Sequence, residues 1–320
     1  MAANPLMKRV FYISHARPEV YAIIRAQVPS GFDLVTLERD SDEERRERIA
    51  GCEVVIVAAN PLRKPLIDAA RRLELVHHQG VGWEDTTDHA ELKARGIPLA
   101  LTPEGTTVGV AEHTVLLMLS ILKLLPFADA ELRQGRFHVN ALRPMSRELA
   151  GMTVGYVGMG RIAQAVAVRL RAFGTRGVFF DPNVTAFEDL ERKGFDAVLA
   201  ESDVLSLHLP LTRETRHLIG AAELARMKPG AYLVNTARGG LVDETALVAA
   251  LDSGRLAGAA LDVFATEPLP AGHPLTKLQN VVLTPHISAG TRDALTTKMR
   301  ALFANVERFY RGEPLANRVL

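Results

Sequence analysis

The sequence predicts an α/β protein of two domains, each built on a parallel sheet with helices on both faces. The chain has 320 residues, and at roughly 150 residues per domain that length accommodates about two domains. Short apolar runs alternate with helix-like stretches through the first hundred residues, and a second alternation runs from Met152 to about Pro285. Strands that alternate with helices at this spacing are typical of parallel sheets covered on both faces.

The first alternation contains four predicted strands and three predicted helices. The strands are apolar or β-branched runs at residues 10–13, 34–37, 53–58 and 73–77. The helices between them are expected at residues 18–28, 41–50 and 62–72. Each helix fits the crossover connection that joins two parallel strands.

The longest helical stretch, residues 106–125, is almost wholly apolar in its later half. A helix that is apolar on all sides has to be covered, so we expect it to connect the two domains and to contribute to a homodimer contact. A polar, glycine-containing stretch at 134–147 follows, and a last helix is expected over about 291–310.

Composition excludes several classes of partner. The 38 Lys and Arg against 37 Asp and Glu leave a net charge of +1, which argues against a nucleic-acid arm or a polybasic membrane segment. No apolar run reaches the ~20 residues of a membrane span, and residues 1–8 show no signal pattern. We therefore expect a cytoplasmic protein. The single cysteine, Cys52, excludes an internal disulfide and a multi-thiolate metal site, and we expect no metal.

A dinucleotide fingerprint opens the second alternation. The strand at 153–157 leads into the sequence Gly158-Met159-Gly160-Arg161-Ile162-Ala163, and a helix follows. Gly158 permits a tight turn, Gly160 lets the backbone approach a pyrophosphate, and Ala163 allows the helix to pack closely on the strand. The phosphates would meet free N–H groups at the positive end of the helix dipole.

The next strand ends in Asp181, which favours one form of the cofactor. An acid about 20 residues after the fingerprint accepts hydrogen bonds from the adenosine ribose hydroxyls and repels a 2′-phosphate. NAD is therefore expected rather than NADP. Asp181 also precedes Pro182, so a turn-forming role is the alternative interpretation.

Three later segments place charged side chains after predicted strands. They contain Arg238, Glu267 and His286. Ligands of open α/β sheets bind beyond the carboxyl ends of the strands, where all three would lie. Taken singly, Arg238 could be a surface cation, Glu267 an acid in a loop and His286 a hydrogen-bonded histidine without a catalytic role. Together with a dinucleotide site, they predict an acid–base pair and an anion clamp.

Motifs in the same order make nearly the whole chain similar to the D-2-hydroxyacid dehydrogenase family. The matching stretches are residues 80–82, 110–114, 158–163, 207–212, 235–240, 261–268 and 284–290. The resemblance implies two doubly wound parallel-sheet domains. These are a flavodoxin-like substrate domain, residues 1–100 and 288–320, and an inserted Rossmann NAD-binding domain, residues 101–287.

The resemblance also implies catalytic roles. Arg238 would bind the substrate carboxylate with a planar fork that lysine lacks. His286 would donate a proton to the substrate carbonyl oxygen while hydride arrives from the nicotinamide, and Glu267 would favour the imidazolium form of His286. The backbone amides that would also hold the carboxylate belong to Gly80, Val81 and Gly82.

Cofactor contacts follow from the same resemblance. In the family, a residue matching Asp262 holds the nicotinamide carboxamide. Glu112 and His113 are expected to have structural roles. Trp83 is expected to have a packing role, and shaping of the substrate pocket is the alternative. The other implied cofactor contacts are Gly158, Gly160, Arg161, Ile162, Asp181, His208, Pro210, Thr215, Thr236, Ala237, His286 and Ala289.

The substrate is the least constrained part of the prediction. The first-domain loops show no clear set of cations for a phosphate, so glyoxylate, hydroxypyruvate or pyruvate is favoured, and 3-phosphoglycerate is the alternative. Formate dehydrogenases resemble the family too, but Glu267 stands where they are expected to carry glutamine. The alternative from another class is an NAD(H)-sensing co-regulator built on the same fold.

Overall fold

A computed structural model describes residues 7–320 of the chain. Residues 1–6, which include most of the stretch without a signal pattern, lie outside the described residues. The described chain divides into two compact units. The first unit comprises residues 7–106 and 290–320, and the second unit comprises residues 107–289.

The first unit contains a parallel sheet of five strands in the order β2-β1-β3-β4-β5. This is the flavodoxin-like strand order. Its strands are β1 (Lys8–Tyr12), β2 (Phe32–Val35), β3 (Val54–Val57), β4 (Leu75–His78) and β5 (Leu99–Leu101). Its helices are α1 (Pro18–Arg25), α2 (Asp42–Ile49), α3 (Lys64–Ala69), α4 (His89–Ala94) and α11 (Arg292–Tyr310).

Both faces of this sheet are covered. All four residues of β3 are buried, as expected for a parallel strand with side chains packed on each side. On one face α11 supplies Met299 and Phe303, which pack with Val10 and Leu75. The last helix is therefore part of the core of the amino-terminal sheet.

The final residues cover the edge of β5. Ala100 and Arg318 form an antiparallel bridge, and the Val319 N–H donates to the Leu99 carbonyl at 2.8 Å. Pairing of this kind removes an exposed sheet edge that could otherwise associate with another chain.

A buried polar network links α11 to β4 and to the residue that follows β5. Asn305 Nδ2 donates to His77 Nε2 at 3.0 Å, and the Thr102 hydroxyl lies 3.2 Å from His77 Nδ1. Asn305 Oδ1 accepts the N–H of Ala316 at 2.9 Å. Burial lowers the pKa of His77 to about 3, so this imidazole is neutral near pH 7.

The second unit contains a parallel sheet of seven strands in the order β12-β11-β10-β9-β6-β7-β8. From β8 to β12 this is the Rossmann order, extended by one strand. Its strands are β6 (Thr153–Val157), β7 (Arg176–Phe180), β8 (Glu191–Arg192), β9 (Val204–Leu207), β10 (Ala231–Asn235), β11 (Leu256–Leu261) and β12 (Val281–Leu283). Its helices are α5 (Thr106–Leu122, whose first residue belongs to the first unit), α6 (Leu125–Arg133), α7 (Arg161–Leu170), α8 (Phe195–Glu201), α9 (Ala221–Arg226) and α10 (Glu244–Asp252).

The prediction of one helix over residues 106–125 was wrong about its end. The helix α5 ends at Leu122, Leu124 adopts a left-handed conformation with φ of 53°, and α6 begins at Leu125. Pro126 lies in the first turn of α6, where a proline is tolerated, whereas it would interrupt a continuing helix. Over residues 7–320 no single helix has the length and apolarity of a membrane span; α5 and α6 reach them only jointly, across a 63° bend.

Candidate active site

The loop from β6 to α7 is shaped by two glycines. Gly158 has φ of +91°, and a Cβ there would lie 2.5 Å from the carbonyl oxygen of His208, so only glycine fits. A Cβ on Gly160 would meet nothing within 4 Å, so the approach to the first turn of α7 is open. An open helix N-terminus after a tight glycine turn fits a dinucleotide pyrophosphate.

Asp181 follows β7 and binds this loop directly. Its Oδ2 accepts the Met159 N–H at 2.7 Å, and its Oδ1 accepts the N–H groups of Asn183 and Val184, both at 2.8 Å. Burial raises the pKa of Asp181, but these three N–H donors and the charge of Arg192 outweigh it and leave the pKa lowered. The turn-forming role considered for Asp181 is therefore present in the structure, and the carboxylate is ionised.

The segment after β9 contains three of the residues assigned to the cofactor. The His208 ring stacks on Tyr156 with centroids 6.1 Å apart, and its Nε2 lies 2.9 Å from the Ser206 hydroxyl. Burial lowers the pKa of His208 to about 3, so the ring is neutral. The Thr215 hydroxyl donates to the Pro210 carbonyl at 2.7 Å and closes the loop.

Arg238 is presented by a tightly constrained loop after β10. The buried Asn235 organises it, because its side chain donates to the Arg238 carbonyl at 2.8 Å and accepts the Ala237 N–H at 3.0 Å. A Cβ on Gly239 would lie 1.9 Å from the backbone carbon of Phe264. The Arg238 loop therefore lies with its backbone directly against the segment that leads from β11 to Glu267.

His286 and Glu267 form a direct pair. His286 Nδ1 lies 2.7 Å from Glu267 Oε2, and Glu267 Oε1 accepts the Phe264 N–H at 2.9 Å. Burial raises the pKa of Glu267, but the bonds from His286 and Phe264 and the charges of His286 and Arg238 outweigh it and leave the pKa lowered. Glu267 is therefore the carboxylate that accepts the Nδ1 proton, and the imidazole side chain is 46% exposed.

Asp262 is fully buried at the end of β11 and holds the backbone around His286. Its carbonyl accepts the His286 N–H at 2.8 Å, and its carboxylate accepts the N–H groups of Ile287 and Ser288, both at 2.9 Å. Burial raises the pKa of Asp262, but the interaction with the nearby His113 and the hydrogen bonds from the Thr284 hydroxyl and these amides outweigh it and lower the pKa to about 2. The carboxylate thus has a structural role besides the predicted contact with the nicotinamide.

The residues predicted to bind the substrate carboxylate through backbone amides lie in the first unit. The carbonyl of Gly80 accepts the Thr102 N–H at 3.2 Å, and the carbonyl of Gly82 accepts the Thr86 hydroxyl at 3.2 Å. Val81 between them is exposed. Trp83 packs beside the core of this unit and contacts the His89 ring edge-on, as expected for a structural residue.

The second unit therefore gathers most of the predicted site residues at one edge of its sheet. Arg238, Glu267 and His286 follow β10, β11 and β12, which are neighbours. Thr236 is buried with its hydroxyl 2.9 Å from that of Thr114. Arg161 and Ile162 begin α7, and Ala289 ends the unit. Within residues 7–320, no three His, Cys, Asp or Glu side chains are grouped so as to hold a metal ion.

The loop-forming role of Asn235 and the bonds made by Thr284 were not predicted from the sequence. A sequence signal for the second existed: Leu261 pairs with Leu283 in the sheet, so the residues that follow them, Asp262 and Thr284, are neighbours. Aligning the predicted strand ends would have indicated this contact.

Comparison with known proteins identifies the family. The family model described as D-isomer specific 2-hydroxyacid dehydrogenase, NAD binding domain, matches residues 115–288, which include the glycine loop and all three charged residues above. The chain belongs to the D-isomer specific 2-hydroxyacid dehydrogenase family. It is accordingly an enzyme of the D-2-hydroxyacid dehydrogenase type that uses a nicotinamide dinucleotide, and its α/β fold class is confirmed.

Two curated relatives and one solved structure illustrate the similarity. A glyoxylate reductase from Thermofilum pendens is 42% identical over 89% of this chain and 83% of its own length. A D-3-phosphoglycerate dehydrogenase from Archaeoglobus fulgidus is 38% identical over 91% of this chain, which spans 55% of that relative. An NADPH-dependent glyoxylate/hydroxypyruvate reductase from Sinorhizobium meliloti, solved with NADP and malonate, superposes with a TM-score of 0.86 at 31% identity, covering 98% of this chain and 97% of that one.

Proposed function

We propose that this enzyme transfers a hydride between NAD(H) and a small 2-oxo or D-2-hydroxy acid. The observation that supports this most strongly is the 2.7 Å contact between His286 and Glu267 beside Arg238. The first unit would be the substrate domain and the second the NAD-binding domain; the units divide at 106/107 and 289/290, where the sequence predicts 100/101 and 287/288.

In the reduction direction His286 would be the general acid. The ionised Glu267 accepts the Nδ1–H, which fixes the tautomer and the orientation of the ring. The Nε2 proton is then the one that moves to the substrate carbonyl oxygen. Bound NADH would supply the hydride at the carbonyl carbon. In the oxidation direction the neutral imidazole would accept the hydroxyl proton.

Arg238 would bind the substrate carboxylate, with help from the backbone amides of Gly80, Val81 and Gly82. A guanidinium offers two parallel N–H donors to a carboxylate, which fixes the position of the carbonyl carbon as well as the charge. The pairing of Arg238 with a small anion is supported by its place next to the acid–base pair.

NAD rather than NADP is the proposed cofactor. The ionised Asp181 lies against the phosphate loop through its bond to the Met159 N–H, and a carboxylate there would repel a 2′-phosphate. The glycine geometry at 158 and 160 suits the pyrophosphate of either cofactor.

Glyoxylate, hydroxypyruvate and pyruvate are the proposed substrates. The test follows NADH and NADPH absorbance against these three 2-oxo acids and against 3-phosphohydroxypyruvate, the oxidised partner of 3-phosphoglycerate. We expect NADH-dependent turnover of at least one small 2-oxo acid. Turnover of the phosphorylated acid alone would favour the alternative substrate. Tight NADH binding without any turnover would favour the NAD(H)-sensing co-regulator.

A homodimer is also proposed. The segment 125–145 exposes several large apolar side chains, a pattern typical of a protein interface. They are Leu125, Leu132, Phe137, Val139 and Met145. Sedimentation should report a dimer that Phe137→Glu dissociates, whereas Val168→Glu, at an exposed apolar position on α7, should leave it intact. A cytoplasmic location, without nucleic-acid or membrane partners, stays a prediction from sequence.

A further inference from the structure

His113 lies on α5, outside the catalytic pair, yet it belongs to the network that shapes the His286 loop. Its Nε2 lies 3.1 Å from the Thr284 hydroxyl and 3.5 Å from Asp262 Oδ1. The Thr284 hydroxyl is 2.6 Å from the same Asp262 oxygen. The His113 side chain is only 12% exposed, so this chain of bonds is well shielded from water.

The direction of these bonds can be deduced. An ionised Asp262 can only accept hydrogen bonds, so the Thr284 hydroxyl must donate its single proton to Asp262. The Thr284 oxygen is then an acceptor toward His113, and Nε2 of His113 has to carry the hydrogen. The order of donation is therefore His113 to Thr284 to Asp262.

At the end of this chain His286 has an unusual backbone conformation. Its φ is 52°, in the left-handed region that residues with a Cβ rarely adopt. Such a conformation persists only where the surroundings hold it. Here Asp262 accepts three hydrogen bonds: its carbonyl accepts the His286 N–H, and its carboxylate accepts the N–H groups of Ile287 and Ser288.

We propose that His113 is a positioning residue for His286. By fixing the Asp262 carboxylate through Thr284, it keeps the His286 loop in the left-handed conformation that directs the imidazole to Glu267. This inference rests on the proposed function, because it assigns His286 the acid–base role. The inference adds to the site a residue of α5 that contacts neither the substrate nor the side chains of His286 and Glu267.

The test compares variants that keep or remove the donor. His113→Leu and Thr284→Val should each lower kcat about 10- to 100-fold, since small misplacements of a catalytic group have effects of that size, with KM for the 2-oxo acid changed less than about twofold. His113→Gln and Thr284→Ser retain a donor and should recover most of the activity. The double variant His113→Leu/Thr284→Val should be no worse than either single change, because both break one chain. Glu112→Gln, at an exposed neighbour on α5, should leave kcat unchanged.

A second measurement does not depend on turnover. In protein labelled with ¹⁵N-histidine, the proton shared by His286 Nδ1 and Glu267 gives a resonance that His286→Gln identifies by its loss. His113→Leu should shift or broaden it, and Glu112→Gln should not. Normal kcat and an unmoved resonance in His113→Leu would overturn the inference, as would a defect confined to NADH affinity. If no 2-oxo acid is reduced by the natural chain but the resonance moves, the positioning role stands and the proposed function fails.

Discussion

Replacing Gly239 by alanine tests whether the Arg238 loop depends on backbone contact with the segment before Glu267. The added Cβ would lie 1.9 Å from the Phe264 carbonyl carbon and 2.4 Å from the Ala265 nitrogen. An ordinary contact begins near 3.4 Å, so the two backbones must separate by about 1.5 Å. Displacements of about 1 Å at a catalytic group lower rates about 100-fold, and overpacking costs about 1–3 kcal/mol of folding free energy.

We therefore expect kcat/KM of Gly239→Ala to fall about 100-fold, and Tm to fall about 2–4 °C for each kcal/mol lost. Steady-state NADH oxidation and differential scanning fluorimetry measure the two effects. Gly194→Ala is the matched control, because that glycine also lies in the second unit, has φ of −65° and leaves open space for a Cβ. Wild-type kcat/KM and Tm in Gly239→Ala would refute the reasoning.

Three further predictions concern charged and titratable groups. His286→Ala and Arg238→Ala should each lower kcat/KM about 10²- to 10⁴-fold, and near-normal turnover in either would remove the assigned role. Asp181→Asn keeps a hydrogen-bond acceptor but loses the charge, so the NADH-to-NADPH ratio of kcat/KM should fall; an unchanged ratio would contradict the ribose assignment. His77 has a pKa of about 3 when folded against an ordinary 6.5, so the unfolded chain binds the proton first on acidification. His77 should therefore lower the stability of the folded chain progressively as the pH falls below about 6.5. The free energy of unfolding in urea should differ less between pH 7 and pH 5 for His77→Asn than for the natural chain. Equal pH differences in the two proteins would argue against a buried neutral His77.

Most of the sheet architecture could be predicted from the sequence, because parallel strands covered on both faces appear as short apolar runs. The run at residues 53–58 became β3 for this reason. The three-residue β5 and the six-residue α4 had no such pattern and were missed. The break at Leu124 was also missed, since an apolar sequence on both sides of a left-handed residue has the same composition as one continuous helix.

The candidate site was predictable as far as strand ends allowed. Arg238, Glu267 and His286 each follow a strand, and the sheet order brings those strands together. What the sequence could not supply was bonding that depends on register and loop conformation. The carboxylate of Asp262 bonds to the amides of the His286 loop, and that of Asp181 to the phosphate loop. Both contacts require the three-dimensional path of the backbone.

The carboxyl-terminal part of the chain completes the sheet of the first unit, and this has a consequence for biosynthesis. Helix α11 and the strand-like segment near Val319 leave the ribosome only after the whole second unit has been made. Domains usually fold as they emerge, starting from the amino terminus, but here Val10 and Leu75 remain without their partner Phe303 during that time. The nascent chain thus holds a folded nucleotide-binding unit attached to an incomplete sheet. The sheet of the first unit is therefore completed only late in synthesis, and slower translation of the second unit would lengthen the interval before that.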